Sequence, residues 1–113
     1  MEEYMEKGFE QIGVIGVDAG LCWIGDPCYI LHKEGAEKEA NAKVLGHNWS
    51  EFCDRIDYSK GPTVMQFNYP AGHPGLGVLV STGVGDGVYN VLAKIKEVKG
   101  WGRRVCEVRI KFI

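Results

Sequence analysis

Four groups of residues have the types and the spacing for chemistry. The first is Asp18 and Asp26, eight residues apart and bracketing an apolar stretch and a glycine turn. Two carboxylates converging at one end of a sheet would hold a divalent cation through oxygen ligands, with Asp86 available as a third. Asp26 stands between glycine and proline and Asp18 lies two residues before Gly20, places where an aspartate caps its own turn, and that is the reading the context favours. The second group is Cys22, Cys28 and His32. Its spacing is neither C-x-x-C nor H-x-x-x-H, so ordinary thiols are expected in place of a zinc site. Cys28 as a nucleophile would need His32, His47 or His73 within hydrogen-bond reach as its base, and no local signature joins them.

The third group is Gly83-Val84-Gly85-Asp86-Gly87. It lacks the Gly-Lys-Ser/Thr of a phosphate loop, and a strand follows it where a dinucleotide fingerprint requires a helix. Three glycines around an aspartate expose backbone N–H groups as an anion nest, or supply positive φ to a plain hairpin turn. The fourth is Trp101, flanked by two glycines and followed by Arg103 and Arg104. An aromatic ring at a hairpin tip beside two arginines is a platform for stacking a base and pairing a phosphate. The alternative is that Trp101 folds back over the sheet edge. Trp23 and Trp49 read as core residues.

The elements that must carry these groups are mostly strands. Met1–Lys7 is a polar start. From Phe9 to Ile24 the chain is rich in β-formers, with Gly13 and Gly16 marking bulges and Ala19-Gly20 a turn. Gly25-Asp26-Pro27 is a turn signal, followed by the short apolar segment Cys28–Leu31. Residues 34–43 are charged and lack large apolar side chains, so a surface loop or loosely docked helical turn is expected. Asn48 opens a helix over about residues 48–58: it is a good N-cap, Glu51 completes a capping box, and Trp49, Phe52, Cys53 and Ile56 form one apolar stripe. Thr63–Tyr69 and Val78–Thr82 have strand composition, with a proline- and glycine-rich loop between them. In Val88–Val98 and Val105–Ile113 apolar and polar residues alternate, which predicts two half-buried strands joined by a hairpin at Lys99–Arg104. Cys53 and Cys106 fall on apolar faces and are expected in the core. The predicted fold is α+β and mostly β: an antiparallel sheet, as a sandwich or partly open barrel, with one packed helix, in a single domain over residues 1–113.

Length and composition bound the function. At 113 residues and sixteen glycines the chain is one domain's worth of protein and too glycine-rich for a helical bundle. A formal charge of −2 argues against DNA or RNA as the main partner, although Arg103, Arg104, Arg109 and Lys111 cluster near the C-terminus. No apolar run is long enough to span a bilayer, and the acidic start is unlike a signal peptide. A cytoplasmic protein with reduced cysteines is expected, with no membrane partner. Six of the glycines lie between Gly72 and Gly87, a density that marks this stretch as a candidate ligand-facing surface.

Val17-Asp18-Ala19-Gly20, then Trp23-Ile24-Gly25-Asp26-Pro27-Cys28-Tyr29, and later Ser81-Thr82-Gly83, Gly85-Asp86-Gly87 and Tyr89, together resemble a signature of small phage, prophage and bacterial proteins, a domain of unknown function. The resemblance implies a stand-alone domain often encoded on mobile elements, and for a viral protein the host cytoplasm. It assigns no catalytic residue. The expected function is non-catalytic binding in place of enzymatic turnover, with sequestration of a nucleotide-type signal of host defence as the specific form and no cofactor. The expected ligand-binding residues are Asp18, Asp26, Tyr29, His73, Ser81, Thr82, Gly83, Gly85, Asp86, Gly87, Trp101, Arg103 and Arg104. A homo-oligomer is expected, because so short a chain has little room for both a core and a deep pocket. The alternatives are a small metal-dependent hydrolase using Asp18, Asp26 and Asp86, and a module that binds a host protein along an exposed strand edge.

Overall fold

Period-two alternation near the C-terminus produces the longest strand pair. The computed structural model describes residues 8–31, 35–59 and 61–113. The expected polar start at Met1–Lys7 and the candidate His32 lie outside these described residues. Six strands are present among them: β1 (Phe9–Val17), β2 (Leu21–Ile24), β3 (Val64–Asn68), β4 (Pro74–Ser81), β5 (Gly87–Val98) and β6 (Gly102–Ile110). Three helices lie between β2 and β3: α1 (Cys28–Leu31), α2 (Gly35–Leu45) and α3 (Trp49–Cys53). The strands form two antiparallel three-stranded sheets, ordered β1-β5-β6 and β2-β4-β3, with no closed barrel. The fold is α+β and mostly β, as the alternation and turn signals predict.

The chain divides into two compact units. The first takes the chain up to Gly20 and from Thr82 onward; the second is Leu21–Ser81. In the first, β5 is the central strand, paired along both edges, and its middle residues Leu92 and Ala93 are both buried. The bulge expected near Gly13 is present: the β1–β5 register shifts between Gln11 and Gly13. In the second unit Leu45, Ile56, Phe67, Leu76 and Leu79 form the core, with Trp23, Phe52 and Tyr69 packed against it. Trp23 meets Phe52 and Phe67 edge-on, at centroid distances of 6.1 and 5.4 Å.

Several local expectations are corrected. Residues 34–43 were expected as a loop or a loose turn, yet Gly35–Leu45 is the longest helix. Its buried residues, Ala42 and Leu45, are one small and one terminal side chain, too sparse to register as an amphipathic stripe. The helix expected over 48–58 stops at Cys53, and Ile56 reaches the core from beyond its end. A helix of that length cannot bury four stripe positions, and Trp49, expected in the core, is 58% exposed. Cys28–Leu31 turns as a helix because Asp26 Oδ1 accepts the Cys28 N–H at 3.0 Å and Pro27 O accepts the Leu31 N–H at 3.0 Å. Cys106, also expected in the core, is exposed. Glu107 pairs with Lys94 and Val105 with Ile95, so Cys106 is the extra residue of a bulge.

Candidate functional site

The glycine loop after β4 is organised by two side chains. Thr82 Oγ1 donates to Gly85 O at 2.7 Å, and the Tyr89 hydroxyl reaches the carbonyls of both Gly85 and Thr82. Gly83 and Gly85 take positive φ, and the Gly83 Cα is covered by Ile113, with no space for a side chain. Thr82 is 1% exposed, so its hydroxyl locks the turn from inside and is not offered to a ligand. Asp86, Gly87 and Asp18 are exposed in the same unit, and Gly20 approaches the Asp86 carboxylate. Ser81 ends β4 in the other unit, where its N–H donates to Thr63 O at 2.9 Å.

The β5–β6 hairpin carries the strongest charge in the molecule. Residues 94–111 hold seven lysines and arginines against Glu97 and Glu107, a formal +5 in a chain of −2. The ladder sets Arg104 opposite Lys96 and Arg109 opposite Leu92, on the face that also carries Lys94 and Phe9. Lys94 and Arg109 both lie over the Phe9 ring, at 5.0 and 4.5 Å from its centroid. At the tip the Trp101 N–H closes the turn on Val98 O at 2.8 Å. The Trp101 ring is 69% exposed, with the Arg104 guanidinium 5.6 Å from its centroid. The ring does not fold back into the interior. Arg103 is exposed opposite Glu97. The contributions of Lys94, Lys96 and Phe9 were missed in the sequence, although counting charge segment by segment finds the lysines.

In the second unit the structure brings together Asp26, Tyr29 and His73. The bond from Cys28 N–H to Asp26 holds that carboxyl below the usual range. The Tyr29 and Tyr69 hydroxyls share a hydrogen bond of 2.7 Å, which pushes Tyr29 up to about 12. The Tyr69 ring lies against exposed His73, 4.7 Å between centroids. Tyr29 also forms one wall of a groove of about 320 Å³ between the three helices. Ala42, Leu45 and Phe52 line it with Trp49, and Lys38 and Asn41 stand at the polar side. Asn41 Nδ2 donates to Tyr29 O at 3.2 Å, tying α2 to α1.

The α2–α3 corner is held by charged groups. Asn48 accepts the Glu51 N–H at 2.9 Å as the expected N-cap, while the Glu51 carboxylate accepts the His47 N–H at 2.9 Å. The His47 ring nitrogens lie 3.1 Å from Glu51 and 3.3 Å from Glu39, and Arg55 donates to Val44 O and Glu51 O. Glu51, then Glu39, raises the His47 imidazole above its ordinary value near 6.5; the His47 N–H, then its ring, lowers Glu51 below 4.5. The His47 contribution to stability is complete below its ordinary value and lost as pH rises through the raised one. That of Glu51 is present above its ordinary value and lost as pH falls through the lowered one. The corner is firmest in mildly acidic solution. We expect His47→Gln to remove most of the stability difference between about pH 5.5 and about pH 8.5 at this corner, read by hydrogen exchange of the α3 amides.

Among the described residues no group of three or more His, Cys, Asp and Glu side chains is placed to hold a metal ion. No helix among them is long and apolar enough to cross a membrane. Comparison of the chain with family models, curated proteins and solved structures finds no match in any of the three.

Proposed function

We propose that this is a non-catalytic binding protein for a nucleotide-type ligand, taken at the β5–β6 hairpin. The observation that carries the reading is the exposed Trp101 ring, with Arg104 beside it, at the tip of a segment of net charge +5. A planar base stacks on the open face of Trp101 for about 1–3 kcal/mol. The phosphates meet Arg104 at the tip, with Lys96 and Lys94 continuing the same cationic face along β5, while Arg103 adds positive charge from the opposite face. Nothing in this arrangement supplies a nucleophile, a base and an orienting group together, which favours binding over hydrolysis. The binding unit is a homo-oligomer acting in the cytoplasm, the host's if the chain is viral, consistent with sequestration of a nucleotide signal. Among the described residues β1 and β6 are the edge strands of their sheet, and we assign assembly to these edges.

The test is equilibrium titration at low salt with mononucleotides, cyclic dinucleotides and short single-stranded oligonucleotides. Trp101→Ala is expected to weaken binding at least about tenfold, and Arg103→Ala with Arg104→Ala to weaken it and flatten its salt dependence. Melting temperatures should stay near wild type, since all three side chains are exposed. Absence of binding to every probe, or binding indifferent to Trp101→Ala, overturns the reading. Binding of oligonucleotides alone would replace a free nucleotide with a nucleic-acid strand.

The exposed β6 edge also supports a second reading, addition of a strand from a partner protein. It is distinguished by affinity that survives high salt.

A further inference from the structure

The cations of the β5–β6 hairpin are sorted by face. Arg104 and Arg109 stand five positions apart, which on a regular strand sets them on opposite faces. The bulge at Cys106 supplies the missing step: Arg104 lies opposite Lys96 and Arg109 opposite Leu92, both on the Lys94 face. A continuous row results. The Arg104 guanidinium lies 5.6 Å from the Trp101 centroid, Lys96 faces it across the ladder, and Lys94 comes next on that face of β5. Lys94 and Arg109 then converge on the Phe9 ring, at 5.0 and 4.5 Å from its centroid.

The row is cationic after its acid is counted. Glu107 is opposite Lys94 and 3.9 Å from Arg109, whereas Glu10 and Glu97 pair on the other face. Lys94, Lys96, Arg104 and Arg109 against Glu107 leave a formal +3 on this face of the described ladder. The row also has two ends. Trp101 closes it at the tip. Beyond Arg109 the face turns neutral, with Gln11 bonded to Asn90 at 3.3 Å and Val14 and Val88 exposed. Lys111 lies outside the ladder, which ends at Ile110.

Two anion sites follow, Arg104 with Lys96 and Lys94 with Arg109. Successive rungs on one face are two residues, about 6.8 Å, apart. Phosphates joined by a single bridging oxygen are closer together than this step, while phosphates joined through a sugar are spaced to meet it. Resting on the hairpin reading above, we propose that the ligand is a linear dinucleotide with a terminal phosphate. One base stacks on Trp101, the internucleotide phosphate meets Arg104 and Lys96, and the terminal phosphate meets Lys94 and Arg109.

The test is calorimetric titration of the intact protein at low salt with pApA, ApAp, ApA and ADP. The probes pApA and ApAp carry the terminal phosphate at opposite ends, and both match ADP in formal charge. One of the two is expected to bind about tenfold tighter than either ApA or ADP. Its log affinity should also fall with log salt more steeply than that of ApA, by about 0.7 in slope. Lys94→Met keeps the aliphatic stem over Phe9 and should bring that dinucleotide down to the affinity of ApA. Lys43→Met, which removes a cation from α2 in the other unit, should not. The comparison of probes needs only the wild-type protein, so it decides the matter even if Lys94→Met fails to fold.

Equal affinity for ADP and the phosphorylated dinucleotides overturns the proposal and leaves nucleotide binding at Trp101 standing. Equal affinity for ApA does the same. A phosphorylated trinucleotide that binds about tenfold tighter than the dinucleotide carries the row past its neutral end and overturns it too. No binding of any probe, or binding indifferent to Trp101→Ala, overturns both readings.

Discussion

Gly77→Ala is expected to unfold the second unit, or to destabilise it by about 3 kcal/mol or more. Gly77 is buried on the central strand β4, and a Cβ built there would lie 2.0 Å from Trp23 Cζ2 and 2.5 Å from Cη2. The indole is itself packed edge-on against Phe52 and Phe67, which resist its displacement. A Cβ at Gly25 would press the same ring from its Nε1 side, at 2.8 Å. Gly16→Ala is the control: nothing lies within 4 Å of its Cβ position, and its effect should stay within about 0.5 kcal/mol. Trp23→Leu combined with Gly77→Ala should cost less than the sum of the two single changes, because the smaller side chain vacates the contested space. Urea denaturation followed by near-ultraviolet circular dichroism measures the wild type and all four variants.

The second large effect is expected at Gly46, between α2 and α3. Its φ of +86° is disfavoured for any residue with a Cβ. The added atom would also lie 2.7 Å from Glu51 Cβ and 2.9 Å from the Phe52 nitrogen, against the backbone of α3. Gly46→Ala is expected to cost about 2–4 kcal/mol, the sum of a backbone penalty of about 1–2 and a displacement of α3. Gly100→Ala separates the two causes, since Gly100 has φ +82° with open space around it and should show the backbone penalty alone. A displaced α3 moves His47 away from Glu39 and opens the groove at Trp49.

These two glycines show what was legible in the sequence and what was not. Alternation in Val88–Val98 and Val105–Ile113 is a local property, and it finds β5 closely and β6 with its bounds shifted, since β6 runs Gly102–Ile110 and takes in the last three residues of the expected turn. The N-cap at Asn48 and the turn at Asp26 are equally local and both appear, although the Glu51 carboxylate accepts from the His47 N–H where a capping box would use Asn48. Gly77 is different. Its glycine identity answers to an indole more than fifty positions earlier, and a single chain does not reveal which aromatic ring will lie on which backbone. Of the six glycines from Gly72 to Gly87, Gly75, Gly77 and Gly83 stand where Tyr69, Trp23 and Ile113 approach the main chain. Helix α2 was missed because its buried face consists of Ala42 and Leu45, and its stability comes from docking more than from pattern. Cys106 was misplaced by a bulge, which shifts the period of the strand by one residue without any signal in its composition.

The candidate site was legible in the same uneven way. Trp101 between two glycines, followed by two arginines, stands out because turn chemistry and side-chain chemistry coincide in a few residues. Lys94, Lys96 and Phe9 join it only through the β1–β5–β6 register, which joins residues 9 and 94. The groove was not foreseen at all, because its walls come from three short helices of which one was expected.

The most direct test of ligand binding at the hairpin is a nitrogen-15 NMR titration of the wild-type protein with a cyclic dinucleotide at low salt. The expected result is a saturable shift largest at the Trp101 indole N–H and at the amides of Arg103 and Arg104, with Trp49 unmoved. A spectrum unchanged at millimolar ligand, or shifts confined to Tyr29, Trp49 and Phe52, would contradict it.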